Sequence, residues 1–152
     1  MKLKNLKKAA IVFLNVLIAV TIMSCGTKGK DSYDAGVKLF EEMKYRESIV
    51  EFQKTVEENA DFGEAYMYMG RAFNLLQQYD LSINAYQKAL GIFKQDKFNA
   101  NLSYLPDNKK ITQIEEVWLP YSQLQQKIQQ GIPLTDIEIQ KQAEIIKRLD
   151  PK

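Results

Sequence analysis

The side chains that most often carry out chemistry in proteins are scarce in this 152-residue sequence. It contains one cysteine, Cys25, and no histidine. With neither histidine nor a second thiol, we expect no disulfide and no conventional zinc, haem or copper site. The best candidates for acid–base catalysis are two pairs of adjacent glutamates, at 41–42 and 57–58. Because neighbouring residues on a helix point in different directions, neither pair forms an acid–base couple. We therefore predict that the chain is not an enzyme and that it needs no cofactor and no metal.

Cys25 follows a segment with the features of a secretory signal. Four lysines near the start precede an uncharged stretch from Ala9 to Met23, and Ser24 stands directly before the cysteine. The stretch is shorter than the roughly 20 apolar residues that a spanning helix needs. These features predict a signal peptide over residues 1–24. The alternative is an uncleaved signal anchor beside an unrelated cysteine, and both hypotheses place the rest of the chain outside the cytoplasm, at a membrane.

The charge of the chain depends on that signal. The full sequence has 21 basic and 19 acidic side chains, and four of the basic ones are lysines of the signal, which contains no acid. Without the signal the acidic side chains outnumber the basic ones by two. A domain with this slightly acidic balance has no electrostatic basis for binding nucleic acid. Its length is sufficient for one domain with a real core.

The segment Ile22-Met23-Ser24-Cys25 resembles the lipobox of bacterial lipoproteins. The resemblance implies that the Cys25 thiol receives a diacylglyceryl group and that the signal is removed before it, so that Cys25 carries a covalent lipid. Two or three acyl chains make release from a bilayer negligible, because each buried methylene contributes about 0.8 kcal/mol. We expect residues 25–31 to form a short polar linker that keeps the folded part close to the lipid. Gly26, in a place where aspartate retains such proteins in the inner membrane, favours an outer-membrane location facing the periplasm.

The sequence also contains an internal repeat. Alignment of positions 36–54 with positions 70–88 gives six identical pairs and several similar ones. The identical pairs are Gly36 with Gly70, Tyr45 with Tyr79, Ser48 with Ser82, Ile49 with Ile83, Gln53 with Gln87 and Lys54 with Lys88.

A period of about 34 with these residue types resembles the tetratricopeptide repeat. The resemblance implies an all-α fold, a short solenoid of helical hairpins, over residues 32–152. It places the first repeat at about 32–62 and the second at about 63–94. In each hairpin, Gly36 or Gly70 would leave the first helix bare where the second helix crosses it. Ser48 and Ser82 replace the usual alanine there, and each hydroxyl can bond back to a carbonyl one turn earlier. We expect a core formed by large side chains around the crossings: Leu39, Tyr45, Phe52, Phe73, Tyr79 and Tyr86.

The C-terminal part must cover the open face of the second repeat, since about three stacked units are usually needed. Residues 95–109 are rich in turn-forming types and predict a loop, although the preceding helix could extend toward Phe98. Residues 110–149 predict a last hairpin, either a degenerate third repeat or a cap. Its apolar stripe continues across Pro120, which predicts a kinked helix or two helices in register, with Trp118 buried against the second repeat. A capping box of Thr135 and Glu138 predicts the start of the final helix, whose apolar positions Ile139, Ile146 and Leu149 share a face.

In the tetratricopeptide family the first helix of each repeat lines a concave groove that binds an extended peptide or a partner helix. The resemblance places ten residues of this chain in that groove: Tyr33, Asp34, Val37, Phe40, Glu41, Met67, Tyr68, Arg71, Asn74 and Leu75. Aromatic residues, arginine and methionine are common at protein interfaces. The alternative is that the last hairpin fills this groove, or that these residues form a solvated face.

Together these observations favour a lipid-anchored adaptor that binds a protein partner in the bacterial cell envelope. Small tetratricopeptide lipoproteins that help to assemble outer-membrane barrels or pilus and secretion complexes have a similar architecture. The alternative from a different class is a small-ligand-binding lipoprotein that serves a transporter and uses a pocket between the repeats and the last hairpin. Self-association through the open end of the repeats is a third hypothesis.

Overall fold

The computed structural model describes residues 28–99 and 107–149, and these residues have an all-α helical-hairpin fold. The predicted signal peptide over residues 1–24 and the predicted lipidation residue Cys25 lie outside the described residues. The helices are α1 Lys30–Glu41, α2 Tyr45–Glu58, α3 Gly63–Leu75, α4 Tyr79–Asn99, α5 Asp107–Gln113, a π-helical turn Ile114–Trp118, α6 Leu119–Gln129 and α7 Asp136–Leu149.

The helices pack in chain order as three antiparallel hairpins. The first is α1 with α2, and the second is α3 with α4. In the third, α5, the π turn and α6 form one continuous helix that packs on α4, and α7 folds back against it. One core cluster around Phe52, Ala65 and Met69 joins the first hairpin to the second. Another, around Tyr86, Phe93 and Ile114, joins the second to the third.

The three hairpins share one type of turn. Met43, Gln77 and Gly131 occupy equivalent places, with φ of 61°, 59° and 70°. In the first turn the Met43 N–H donates to the Phe40 carbonyl and the Lys44 N–H to the Leu39 carbonyl. The equivalent pairs in the other turns are Gln77 to Asn74, Gln78 to Phe73, Gly131 to Ile128, and Ile132 to Lys127. This is the Schellman motif, in which a left-handed residue ends a helix and satisfies its last carbonyls.

The predicted close contacts at Gly36 and Gly70 are confirmed. A Cβ atom at Gly36 would lie 2.6 Å from the Phe52 ring, and one at Gly70 would lie 2.6 Å from the Tyr86 ring. Both rings are fully buried. The absence of a side chain at these glycines therefore sets how closely the two helices of each hairpin approach.

For the loop predicted over residues 95–109, the alternative in which the preceding helix extends toward Phe98 is confirmed, and the predicted C-terminal bound is wrong. Helix α4 continues to Asn99, and α5 already begins at Asp107, so only residues 100–106 of the predicted loop fall outside the described helices. Turn-forming residue types are tolerated in the first and last turns of a helix, so composition alone overestimates the length of a loop between two helices. The polar linker predicted over 25–31 is also too long, because α1 begins at Lys30.

Gly29 fixes the start of α1 against the end of α2. Its N–H donates to the Glu58 carboxylate at 2.8 Å, and its φ of 82° is left-handed. A Cβ atom there would lie 2.8 Å from the Thr55 carbonyl oxygen. Glycine is thus required by both the backbone conformation and the available space.

Pro120 is accommodated without a break in the helix, as the continuous apolar stripe predicts. Proline removes one backbone N–H and its ring clashes with the carbonyl four residues earlier. The preceding residues widen into the π turn Ile114–Trp118, an arrangement in which each hydrogen bond spans one more residue. The helix therefore continues on both sides of Pro120, and Trp118 lies against the second hairpin, half-buried, with its ring stacked on Tyr86 at 6.5 Å.

The predicted capping box at the start of α7 is confirmed. The Thr135 N–H donates to the Glu138 carboxylate at 3.0 Å, and the Glu138 N–H donates to the Thr135 hydroxyl at 3.3 Å. The buried face of α7 is centred on Ile145, whereas Ile139 and Ile146 are exposed. The face predicted for Ile139, Ile146 and Leu149 is thus exposed at its first two positions and half-buried at Leu149.

Candidate functional site

Helices α1 and α3 lie side by side and present a row of aromatic rings. The rings of Tyr33 and Phe40 flank that of Tyr68, with centroid distances of 5.9 and 5.4 Å and edge-on orientations. Beneath them, the buried Phe52 ring stacks on Tyr68 at 5.4 Å. Tyr33, Phe40 and Tyr68 are only partly buried. Three predicted groove residues, Tyr33, Phe40 and Tyr68, are therefore brought together, and the Tyr68 ring also contacts the buried ring of Phe52.

Arg71 lies one turn after Tyr68 on α3 and is enclosed by rings. Its guanidinium carbon lies 4.9 Å from the centroid of Phe40, 5.3 Å from that of Tyr68 and 5.4 Å from that of Trp118. These distances are within the range of cation–π attraction. We call these four residues the aromatic–arginine cluster. It joins side chains from α1, α3 and the π turn, and so from all three hairpins.

Two of the predicted groove residues lie beneath the third hairpin instead of lining an open groove. Met67 packs against the core cluster of Tyr86 and Ile114. Asn74 is buried and donates to the Ser122 hydroxyl on α6 at 2.6 Å. The prediction of an open position is wrong for Asn74 because the long helix of the third hairpin crosses this part of α3.

A buried polar network joins the second and third hairpins at this crossing. The Ser122 hydroxyl lies 3.0 Å from that of Ser82 and 2.9 Å from the Trp118 carbonyl, while Ser82 donates to the Gly70 carbonyl at 2.8 Å. Ser82 therefore bonds across the hairpin, whereas Ser48 bonds back to the Tyr45 carbonyl within its own helix, as predicted. The network lies in the contact between the second hairpin and the third.

The other predicted groove residues differ in exposure. Val37 packs on the core, while Asp34, Glu41 and Leu75 are exposed. Asp34 forms an ion pair with Lys30 one turn earlier, at 3.0 Å. The exposed members of the predicted groove are thus two carboxylates and one apolar side chain.

Burial dominates the electrostatics of the tyrosines near the cluster. It raises the pKa of Tyr33 far above the ordinary value, and neighbouring Tyr68, Glu64 and Asp34 add to the rise. Burial likewise raises the pKa of Tyr86, and the Arg71 guanidinium opposes that rise. The nearby Ser82 hydroxyl also opposes the rise in the pKa of Tyr86. The distances and angles nevertheless give the Tyr86 hydroxyl no hydrogen-bond partner within the described residues. Both tyrosines thus stay neutral and cannot pair with the arginine as phenolates.

Trp118 and Ser122 complete this region, and only for Trp118 does the sequence predict a position against the second hairpin. Trp118 was expected to be buried, but its role as one wall around Arg71 depends on how the third hairpin docks. Ser122 has no distinguishing sequence context apart from lying on the buried side of an apolar stripe. The only available signal was that a polar residue at such a position needs a buried partner.

The described residues also bear on other kinds of site. They contain no grouping of Cys, Asp and Glu side chains that could hold a metal ion. None of their helices combines the length and the apolar character that crossing a bilayer would require. A surface pocket lies between α6 and α7, and charged side chains such as Lys127, Glu138 and Lys141 contribute to its lining.

Comparisons of the chain with protein-family models, with curated proteins and with solved structures found no match.

Proposed function

We propose that this protein is a tetratricopeptide-type lipoprotein of the bacterial cell envelope that acts as an adaptor for a protein partner. The lipid on Cys25 would anchor it, and the face formed by α1 and α3 would bind the partner. The observation that carries the proposal is the aromatic–arginine cluster, which is partly exposed and is formed jointly by the three hairpins.

The repeat geometry supports the family part of the proposal. The two hairpins that the internal repeat aligns each have a glycine under an aromatic ring, and all three hairpins end their first helix in the same left-handed turn. Helical repeats stacked in this way form extended binding surfaces on one side. The α1–α3 face is our candidate for that side, and its support is that α2 packs against α1 and α4 against α3.

The composition of the face supports a protein partner. Aromatic side chains and arginine are enriched among interface residues that contribute most of the binding free energy. Leu75 adds an apolar side chain that is 54% exposed, one turn beyond Arg71 on α3. A rigid aromatic row with an adjacent cation provides both contact area and orientation for an extended segment.

Site-specific photo-crosslinking in intact envelopes tests the proposal. A photoreactive amino acid replaces Asp34 or Leu75, which are exposed at the edge of the face, and in separate strains Gln53 or Gln87. The last two are exposed, occupy equivalent places in the first two hairpins and lie on α2 and α4. We expect one discrete protein adduct from Asp34 and Leu75 and none from Gln53 and Gln87. Equal crosslinking from all four positions, or no protein adduct at all, would contradict the proposal.

The anchor is tested separately. Mass spectrometry of the unsubstituted protein should show acyl groups on Cys25 and the loss of residues 1–24. Cys25→Ser should abolish both changes, because the resemblance implies that the signal is removed before a lipidated cysteine. An unmodified Cys25 thiol in a chain that keeps residues 1–24 would instead favour the uncleaved signal anchor.

A further inference from the structure

Helix α7, the last described element of the hairpin array, has an apolar row on its outer surface. The helix packs on α6 and the π turn, and Ile145 is its buried residue. On another side of α7, Ile139 is 52% exposed, Ile146 is 48% exposed, and Ala143 between them is exposed as well. Their spacing of four and three residues places them in one line along the helix. We call Ile139, Ala143 and Ile146 the α7 apolar row.

Such a row is unusual at the end of a repeat array. Terminal units of helical repeats normally have a polar outer face, because no further repeat covers them. Single exposed apolar residues are ordinary on a protein surface, whereas contiguous ones mark a surface that binds something. The α7 apolar row therefore calls for an occupant.

The charges at the two ends of α7 indicate which occupant fits. The first turn carries Asp136 and Glu138, and the last turn carries Lys147 and Arg148. Glu138 and Arg148 form ion pairs within the chain. Asp136 and Lys147 are exposed and form no ion pair within the described residues. They lie seven residues before and four residues after Ala143, so helical periodicity places both beside the α7 apolar row.

We propose that the α7 apolar row is the contact surface of a homodimer, in which α7 of a second copy lies antiparallel to it across a two-fold axis. A contact between two identical patches must be complementary to itself. An axis level with the middle of the row sets Ile139 against the partner's Ile146. It also brings Asp136 to within two residues, about 3 Å along the helix, of the level of the partner's Lys147. The acid–base contact forms twice, once on each side of the axis.

The same charges disfavour the other occupants. A parallel copy would set Asp136 beside Asp136 and Lys147 beside Lys147, and both contacts are repulsive. The antiparallel copy instead brings opposite helix ends together, which the helix dipoles favour as well. Helices that lie on a bilayer surface typically carry several Lys and Arg residues beside their apolar face. The α7 apolar row has one acid and one base beside it, so it has no net attraction for anionic lipid.

The dimer goes beyond the proposed adaptor function, because it doubles the binding surface. The α7 apolar row lies outside the aromatic–arginine cluster, whose residues belong to α1, α3 and the π turn. Each dimer therefore carries two α1–α3 faces, and two linked faces bind a partner that has two matching segments more tightly than one face does. Dimerisation itself requires no partner, so it is tested independently of the adaptor function.

Sedimentation equilibrium of the full chain in density-matched neutral detergent, with micelles in large excess over protein, measures the dimer. One helix per copy buries less than the about 800 Å² per partner of a standard interface, so we expect a Kd on the order of 10 μM. Ile139→Gln combined with Ile146→Gln should raise the Kd about tenfold or more, because the apolar contact is lost. The matched control is Val50→Gln combined with Leu81→Gln. These residues are 49% and 47% exposed and lie on α2 and α4, so the control should leave the Kd unchanged.

Charge reversal tests the antiparallel orientation. Asp136→Lys and Lys147→Asp each turn two attractive contacts into two repulsive ones, so each variant should raise the Kd about fivefold or more at low salt. Both reversals in one chain restore opposite charges at both contacts and should return the Kd to that of the unsubstituted protein. In a parallel dimer, the single reversals would exchange one like-charge contact for another and leave the Kd unchanged. Circular dichroism verifies that each variant is folded.

A photoreactive amino acid in place of Ala143 identifies the occupant in intact envelopes. We expect an adduct that contains two copies of this chain and no other protein. The homodimer is wrong if the protein stays monomeric well above the expected Kd, if the isoleucine variant dimerises as tightly as its control, or if Ala143 crosslinks only to a different protein or to lipid. A folded double-reversal variant that is as weak as the single ones contradicts the antiparallel orientation. If the dimer forms but Asp34 and Leu75 crosslink no partner, the adaptor function fails while the dimer stands.

Discussion

Gly70 and Gly91 offer a matched test of how the hairpins pack, because the same substitution should have opposite effects at the two positions. Both glycines lie within helices, Gly70 in α3 and Gly91 in α4. A Cβ atom at Gly91 would meet nothing within 4 Å, whereas one at Gly70 would lie 2.6 Å from the Tyr86 ring. Gly91→Ala should therefore stabilise the fold by about 0.5–1 kcal/mol, through the higher helix propensity of alanine alone.

Gly70→Ala gains the same propensity but must displace a ring that is fully buried. The ring is fully buried and Trp118 of the third hairpin stacks on it, so its displacement would disturb the packing of the third hairpin. Overpacking of this kind typically costs about 1–3 kcal/mol. Since the propensity gain is common to both variants, the difference between their free energies of unfolding should equal the overpacking cost, about 1–3 kcal/mol.

Urea unfolding followed by Trp118 fluorescence and by circular dichroism measures this difference. In the double variant with Tyr86→Leu, which removes the ring, the effect of Gly70→Ala should shift toward that of Gly91→Ala, giving a coupling energy of about 1–3 kcal/mol. If Gly70→Ala stabilised the protein as much as Gly91→Ala does, the close helix crossing inferred from the glycine would be wrong.

Three further predictions concern the turns and the third hairpin. Hydrogen bonds from Lys127 and from the Thr135 N–H lower the pKa of Glu138 to about 2. The stability that this carboxylate contributes should therefore be complete above its ordinary pKa and decline as the pH falls from about 5 toward 2. In urea unfolding at low salt, Glu138→Gln should reduce the difference between the free energies of unfolding at pH 6 and pH 3. At the left-handed turns, glycine adopts the positive φ more easily than other residues do. Gln77→Gly should therefore raise the free energy of unfolding by about 0.5–1 kcal/mol, whereas Gly131→Ala should lower it by about 1 kcal/mol. Equal effects of the two variants in thermal melts would contradict the shared turn geometry. Ser122→Ala leaves the buried Asn74 amide without its acceptor and should cost about 1–3 kcal/mol in the same urea assay, so a change under about 0.5 kcal/mol would show that water replaces the hydroxyl.

The first two hairpins were predictable from sequence because their closest contacts use residues that must stay small. Gly36 and Gly70 each accept a ring from the second helix, so their spacing directly reflects the structural period. The third hairpin was not recognisable as a repeat by the same shift. The left-handed turn residues Met43 and Gln77 are one repeat period apart, whereas Gly131 lies well over one period beyond Gln77. The long α4 and the helix containing the π turn occupy the extra chain, so the shift that aligns the first two hairpins cannot align the third.

The candidate site was predictable only where it depends on one helix. Tyr68 and Arg71 lie one turn apart on α3, so their shared face follows from helical periodicity. The burial of Asn74 and the position of Trp118 depend on the docking of a helix from the third hairpin, which the local pattern does not specify. The exposure of Ile139 and Ile146 has the same origin. Helical periodicity predicts that they share a face, but the docking of α7 through Ile145 leaves both of them exposed.

The hydrogen bond from the Gly29 N–H to the Glu58 carboxylate affects how the fold responds to a mechanical pull. The open end of the first hairpin, where α1 starts and α2 finishes, is the end at which the two helices could be peeled apart. Tension transmitted from the residues before Lys28 arrives at this end and meets the 2.8 Å bond to Glu58 before it reaches any apolar contact of α1. Because Gly29 directly precedes α1, separation of the two helices from this end would have to break that bond. The protein is therefore reinforced at the point where a pull on its N-terminal segment would enter the fold.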